Sequence, residues 1–198
     1  MQRTFRGISA ALVGLGLAVL VGCTPTAAPS PIPTPSVPTC VPLDGASPFP
    51  CTQADFDALA EQRALYEEAE AVLRRYQAEV DRQEADWSLR EMTPELLDTT
   101  TGAFRQATQQ LIDQDRHDQA RRIGDAVPIA WVKWTPAEAR GGSVATIQYC
   151  VDGTRERYVT KDSPDGSAGV AVMRKYFFTR TDGQLKIATS DAERVPSC

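Results

Sequence analysis

Eight apolar residues, Leu65, Tyr66, Ala69, Val72, Leu73, Tyr76, Val80 and Trp87, share one stripe about 100° wide when the chain is wound at 100° per residue. That spacing predicts a long amphipathic helix, and Thr52 is a plausible N-cap for it. Phe56 and Leu59 lie off the stripe. A straight helix over 53–88 would be about 54 Å long. A domain made of residues 52–198 has a radius of gyration of about 15 Å. A bend near residues 60–64 is therefore expected, or a first turn that docks away from the main core.

A second helical region starts at Thr93-Pro94, a capping residue followed by proline at the first helical position. It runs through Leu96, Leu97, Phe104, Ala107, Leu111 and Ile112, and should stop before Gly124. Gly102 and Thr99–Thr101 weaken its middle, so it divides readily into two short helices. The remainder is strand-like. Pro128 confines residues 126–134 to a sheet edge or a strand start. Along 144–151, Ala145, Ile147, Tyr149 and Val151 face one way, and Thr146, Gln148 and Cys150 the other. Residues 170–180 form another strand, and Asp182-Gly183 turns it back into residues 184–188. Helices followed by an antiparallel meander define an α+β domain, with the helices on one face of the sheet.

Upstream, the composition changes twice. Arg3 and Arg6 precede an uncharged, largely apolar run from Ile8 to Val21, which is too short for a typical bilayer span and suits a cleaved signal. It ends Leu20-Val21-Gly22-Cys23. This ending resembles the bacterial lipobox, which implies cleavage before Cys23 and lipidation of its thiol, so that two or three acyl chains hold the protein on the outer face of the cell membrane. Thr24 follows the cysteine, and in a two-membrane host that resembles an outer-membrane address. Residues 24–50 hold nine of the fourteen prolines and a single charge, Asp44. Such a stretch cannot bury enough apolar surface to fold, and its prolines favour an extended tether reaching at most roughly 80 Å. The expected organisation is a signal peptide over 1–22, a lipidated disordered tether over 23–51 and one domain over 52–198.

The element order, the strand end Tyr149-Cys150-Val151-Asp152, the hairpin Arg180-Thr181-Asp182-Gly183-Gln184-Leu185 and a terminal Cys198 resemble secreted actinobacterial lipoproteins of the nuclear-transport-factor-2-like superfamily. That resemblance implies a cone: a curved antiparallel sheet, as in cystatin-like folds, wrapped on a long helix. The mouth of such a cone can be an enzyme pocket, a ligand site or filled core. Tyr149, Asp152, Trp131 and Tyr176 are the candidate pocket residues. The related isomerases and dehydratases use an aspartate or a histidine–aspartate pair as base, often helped by tyrosine, but Tyr149 and Asp152 fall on opposite faces of their strand. The favoured reading is a non-catalytic binding or interaction module, with a small-molecule enzyme or carrier as the alternative. Its partners would be the membrane, a cell-envelope protein or a small apolar ligand. Aromatics on both faces of Tyr176-Phe177-Phe178 make a sheet-to-sheet homodimer a further reading.

The remaining counts narrow the chemistry. The single histidine, His117, sits at a polar helix end, and multi-histidine metal or catalytic sites are excluded. Residues 113–124 are a poor calcium loop, with Asp118 at the sixth position and Gly124 at the twelfth. No cofactor or metal motif is present. The net charge of -5 argues against nucleic acid, and the acidic excess is confined to residues 53–86. With Cys23 lipidated, four of the five cysteines remain for an oxidising compartment, and they allow three connectivities. Cys40 and Cys51 flank a short loop, and Cys150 with Cys198 would clasp a strand to the C-terminus, so Cys40–Cys51 with Cys150–Cys198 is the favoured pairing. The odd cysteine count is thereby an anchor plus two staples rather than a reactive thiol.

Overall fold

A capping box at Thr52 starts the first helix, α1 (Gln53–Glu84). The Thr52 hydroxyl accepts from the Asp55 amide at 3.2 Å, and the Asp55 carboxylate accepts from the Thr52 amide at 3.3 Å. These two bonds satisfy helix-end donors that would otherwise lack partners. Thr52→Ala is expected to cost about 1 kcal/mol, read as a lower urea midpoint at unchanged slope. An unchanged midpoint would contradict the cap's role.

The computed structural model describes residues 37–43 and 45–198, which belong to one unit of the chain. The signal segment, Cys23 and the Pro-rich run up to residue 36 lie outside the described residues. Two short strands come first, β1 (Thr39–Cys40) and β2 (Phe49–Pro50), paired antiparallel and stapled by the Cys40–Cys51 disulfide. Composition alone would leave this stretch unfolded; the staple, the burial of Cys40 and the packing of Leu43 against the core order it.

Helix α1 is one continuous element of 32 residues, about 48 Å long. Of the two expectations, a bend near 60–64 or first turns away from the main core, the structure has the second. The first turns extend past the core, leaving Phe56 exposed, and Arg63 donates to the Val41 carbonyl beside the hairpin. Burial begins at Tyr66 and follows the predicted stripe through Ala69, Val72, Leu73 and Tyr76. Trp87 leaves the stripe because the helix ends at Glu84. Asp86 caps a 3-10 turn over 87–89, and the buried Gln83 amide holds both the amide and the carbonyl of Glu91.

Two shorter helices follow, α2 (Pro94–Thr99), capped by Thr93, and α3 (Gly102–Asp118). Gly102 at φ 55 makes the break between them, in a backbone region that favours glycine. The intervening Thr100 and Thr101 lie against the sheet, where the Thr101 amide donates to the Ile187 carbonyl at 2.9 Å.

The strands then run β3 (Arg121–Ile123), β4 (Ile129–Trp134), β5 (Ala145–Asp152), β6 (Arg157–Thr160), β7 (Ser163–Ala168), β8 (Ala171–Thr181) and β9 (Gln184–Val195). The main antiparallel sheet has the order β4-β5-β8-β9, with β4 on the edge and starting just after Pro128. Its inward face packs on α1 and α3 through Ala145, Ile147, Tyr149, Tyr176, Phe178 and Ile187. A smaller sheet, β3-β6-β7, was not legible in the sequence. Strand β7 reads Ser-Pro-Asp-Gly-Ser-Ala and lacks alternation. It survives at an edge, and Gly166 at φ 68 lies where a Cβ would come within 2.6 Å of the Tyr158 carbonyl oxygen. The protein is thus a mixed α+β structure with a long helix and antiparallel sheets.

Part of the outward face of the main sheet is covered by the loop after β4 and by the C-terminus. Phe177 is only 2% exposed, beneath the Arg140 guanidinium at 4.2 Å from the ring centroid. Arg140 is held by Asp191, and Lys175 by Glu138 of the same loop. Further along, Cys150 is bonded to Cys198.

Candidate functional site

Strand register decides which of the four sequence-selected pocket residues can meet. Tyr149 and Tyr176 lie on the helix-facing side, with ring centroids 5.0 Å apart. Trp131 pairs with Cys150 and therefore lies on the opposite side, where its indole N–H donates to the Cys198 carbonyl at 3.1 Å. Asp152 also falls outside the inward set. Its carboxylate accepts from both the amide and the hydroxyl of Thr154, which closes the turn after β5 and lowers its pKa. Both bonds fall on Oδ1, and Asp152 lies on the strand face opposite Tyr149, so the four residues do not form one constellation.

The inward face instead opens into a cavity of about 360 Å³ at the C-terminal end of α1. Apolar walls come from Val80, Leu111, Val127, Val151, Val170 and Val172. Polar groups come from Tyr76, Asp81 and Glu84 on α1, Tyr158 on β6, Arg174 and Tyr176 on β8, and Arg194 on β9. The size and the mixture suit a small-molecule site.

Both carboxylates in that lining are already engaged. The Arg122 guanidinium, its side chain 2% exposed, reaches Asp81 at 3.0 Å and Glu84 at 3.3 Å, and also donates to the Asp81 carbonyl. Tyr158 donates to Glu84 at 3.4 Å. Burial pushes the Glu84 carboxyl above its ordinary pKa, while the charges of Arg90 and Arg122 pull it back. A second buried pair, Arg90 to Asp115 at 3.0 Å, ties the turn after α1 to α3.

The phenols are held protonated. Burial pushes Tyr158 up to about 12, and raises Tyr76, Tyr149 and Tyr176 further. They pack edge to face, Tyr76 on Tyr176 at 5.8 Å and Phe104 on Tyr176 at 5.1 Å. The Tyr149 hydroxyl is sealed from solvent beside Tyr176 and makes no hydrogen bond of ordinary geometry.

Arg174 is the contrast. It faces inward, directly opposite Tyr149 on β5 and two residues from Tyr176 on its own strand. It enters no salt bridge among the described residues, and neither does Arg194. Sequence reasoning passed over Arg174, although a charge at an inward position between Val172 and Tyr176 was a readable signal. The Arg122 clamp was not readable, because it joins residues 41 apart through a sheet whose strands lack alternation. Among the described residues, no group of three or more histidine, cysteine or acidic side chains could hold a metal ion, and no helix is long and apolar enough to cross a membrane. No protein-family model and no curated protein matches this chain.

Proposed function

We propose that this chain is an extracytoplasmic lipoprotein, anchored through Cys23, whose domain is a nuclear-transport-factor-2-like cone used as a non-catalytic binding module. Packing of a long helix on one face of an antiparallel sheet supports the cone reading. Two disulfides support an oxidising compartment. The observation that carries the binding reading is the state of the cavity. Its two carboxylates are clamped by Arg122 and its phenols are held protonated, so it offers a receptor surface without a free base or nucleophile. The isomerase-like alternative needs an inward base, and Asp152 lies outside the inward set while Asp81 and Glu84 are paired with Arg122.

The anchor is tested by feeding expressing bacteria an alkyne-tagged fatty acid. The full chain should take up the label and partition with membranes, and Cys23→Ala should lose both. Label retained by Cys23→Ala would reject the anchor assignment.

A further inference from the structure

We infer that the cavity receives a small amphiphilic anion, with its acidic head on Arg174 and Arg194 and its apolar body on the valine wall. This inference rests on the binding reading above and names the ligand class for that site.

The register supplies the head-group site. Val172 of β8 is paired with Arg194 of β9, and Arg174 lies two residues along β8. Cross-strand partners and i+2 neighbours share a sheet face, so Arg174 and Arg194 are diagonal neighbours on the inward side, within reach of one another for side chains of this length. Both line the cavity. Two guanidinium groups of like charge on adjacent strands repel, and neither is in salt-bridge contact with a described carboxylate, although the Glu84 charge acts on Arg174 from a distance. Asp81 and Glu84 face the same space, but the Arg122 guanidinium offsets them. Of the arginines in the lining, Arg174 is half-buried and Arg194 exposed, and neither is held in a salt bridge among the described residues. A carboxylate, sulfonate or phosphate group would supply the missing counter-charge and match the planar donor fork of arginine. Tyr76 and Tyr176 line the same cavity as neutral phenols, which adds hydrogen-bond donors without adding negative charge.

The walls supply the second half. Val80, Val127, Val151, Val170 and Val172 offer branched apolar surface with no polar atoms of their own. A volume of about 360 Å³ limits the occupant to a short acyl or single-ring body. A hydrophilic anion such as inorganic phosphate would leave that wall wet, and an uncharged hydrocarbon would leave the arginines unpaired.

The test uses the full chain in lipid nanodiscs, with empty nanodiscs as the blank, titrated calorimetrically with phenylpropionate, phenylpropanol and phenylpropylamine. These probes share one body and differ in head charge. Phenylpropionate should bind at least about tenfold more tightly than the alcohol, and the amine should bind most weakly. Arg174→Met should bring the acid and the alcohol to equal affinity, Arg174→Lys should restore part of the preference, and Arg194→Gln should reduce it. Alcohol binding by Arg174→Met controls for folding. Equal binding of acid and alcohol by the native chain would overturn the anion assignment and leave the cavity as an apolar site. Binding of no probe would overturn the anion assignment and the binding reading together. A preference that survives Arg174→Met would place the anion elsewhere.

Discussion

Replacing Arg122 with methionine is expected to destabilise the fold by about 3–5 kcal/mol, the range seen when one partner of a buried ion pair is removed. The side chain is 2% exposed and bridges β3 to the end of α1 through Asp81 and Glu84. Its loss leaves two partly buried carboxylates facing one another, with only the more distant charge of Arg90 to offset Glu84. Methionine fills most of the same volume, so the effect reads charge rather than a void. The pH dependence has a definite sign. Burial already raises the Glu84 pKa above its ordinary value of 4.5, and the variant removes one of the two arginines that oppose the rise. A carboxyl that holds its proton more tightly folded than unfolded favours the folded state below its ordinary pKa. That advantage is withdrawn as pH climbs through the window up to the raised folded value. The gap between native protein and variant should therefore narrow below pH 4.5 and widen above it. Urea unfolding on either side of that value measures it. A gap that ignores pH, or one below about 1 kcal/mol, would show that Arg122 behaves as a surface charge.

The second large effect belongs to the C-terminal staple. The Cys150–Cys198 bond spans 48 residues, and the Cys40–Cys51 bond spans 11. On the loop-closure account they contribute about 4 and about 3 kcal/mol. Paired Cys150→Ala and Cys198→Ala substitutions should cost the larger amount and free the Trp131 indole N–H from the Cys198 carbonyl. Tryptophan fluorescence would then shift to the red before global unfolding. The matching pair at Cys40 and Cys51 should cost less, because the shorter loop is easier to close and because its hairpin lies at the exposed end of α1. Equal losses, or a larger loss at the hairpin, would contradict this ordering.

Those two contacts also mark the boundary of what was legible. The stripe on α1, the Thr52 and Thr93 caps, the break at Gly102 and the alternation of β5 are local, and local chemistry determines them. The inward placement of Tyr149 followed from the same alternation. The placement of the first turns of α1 away from the main core was one of the two outcomes expected, but the stapled hairpin that accompanies them was not legible. The small sheet did not follow either, since β7 is held by edge pairing and a glycine contact rather than by an apolar pattern. The site suffered most. Trp131 and Asp152 were drawn to it by residue type, whereas Arg174, Arg194 and Glu84 enter it through register and packing between distant segments.

Ligand binding by this protein is expected at the inward end of the main sheet. Amide chemical-shift mapping by NMR, with phenylpropionate added to the labelled full chain in nanodiscs, reads that directly. Saturable shifts are predicted at residues 151–153, 170–176 and 192–194, with little change at the exposed groove formed by Val41, Phe56 and Leu59. Shifts centred on that groove, or scattered without saturation, would contradict the account.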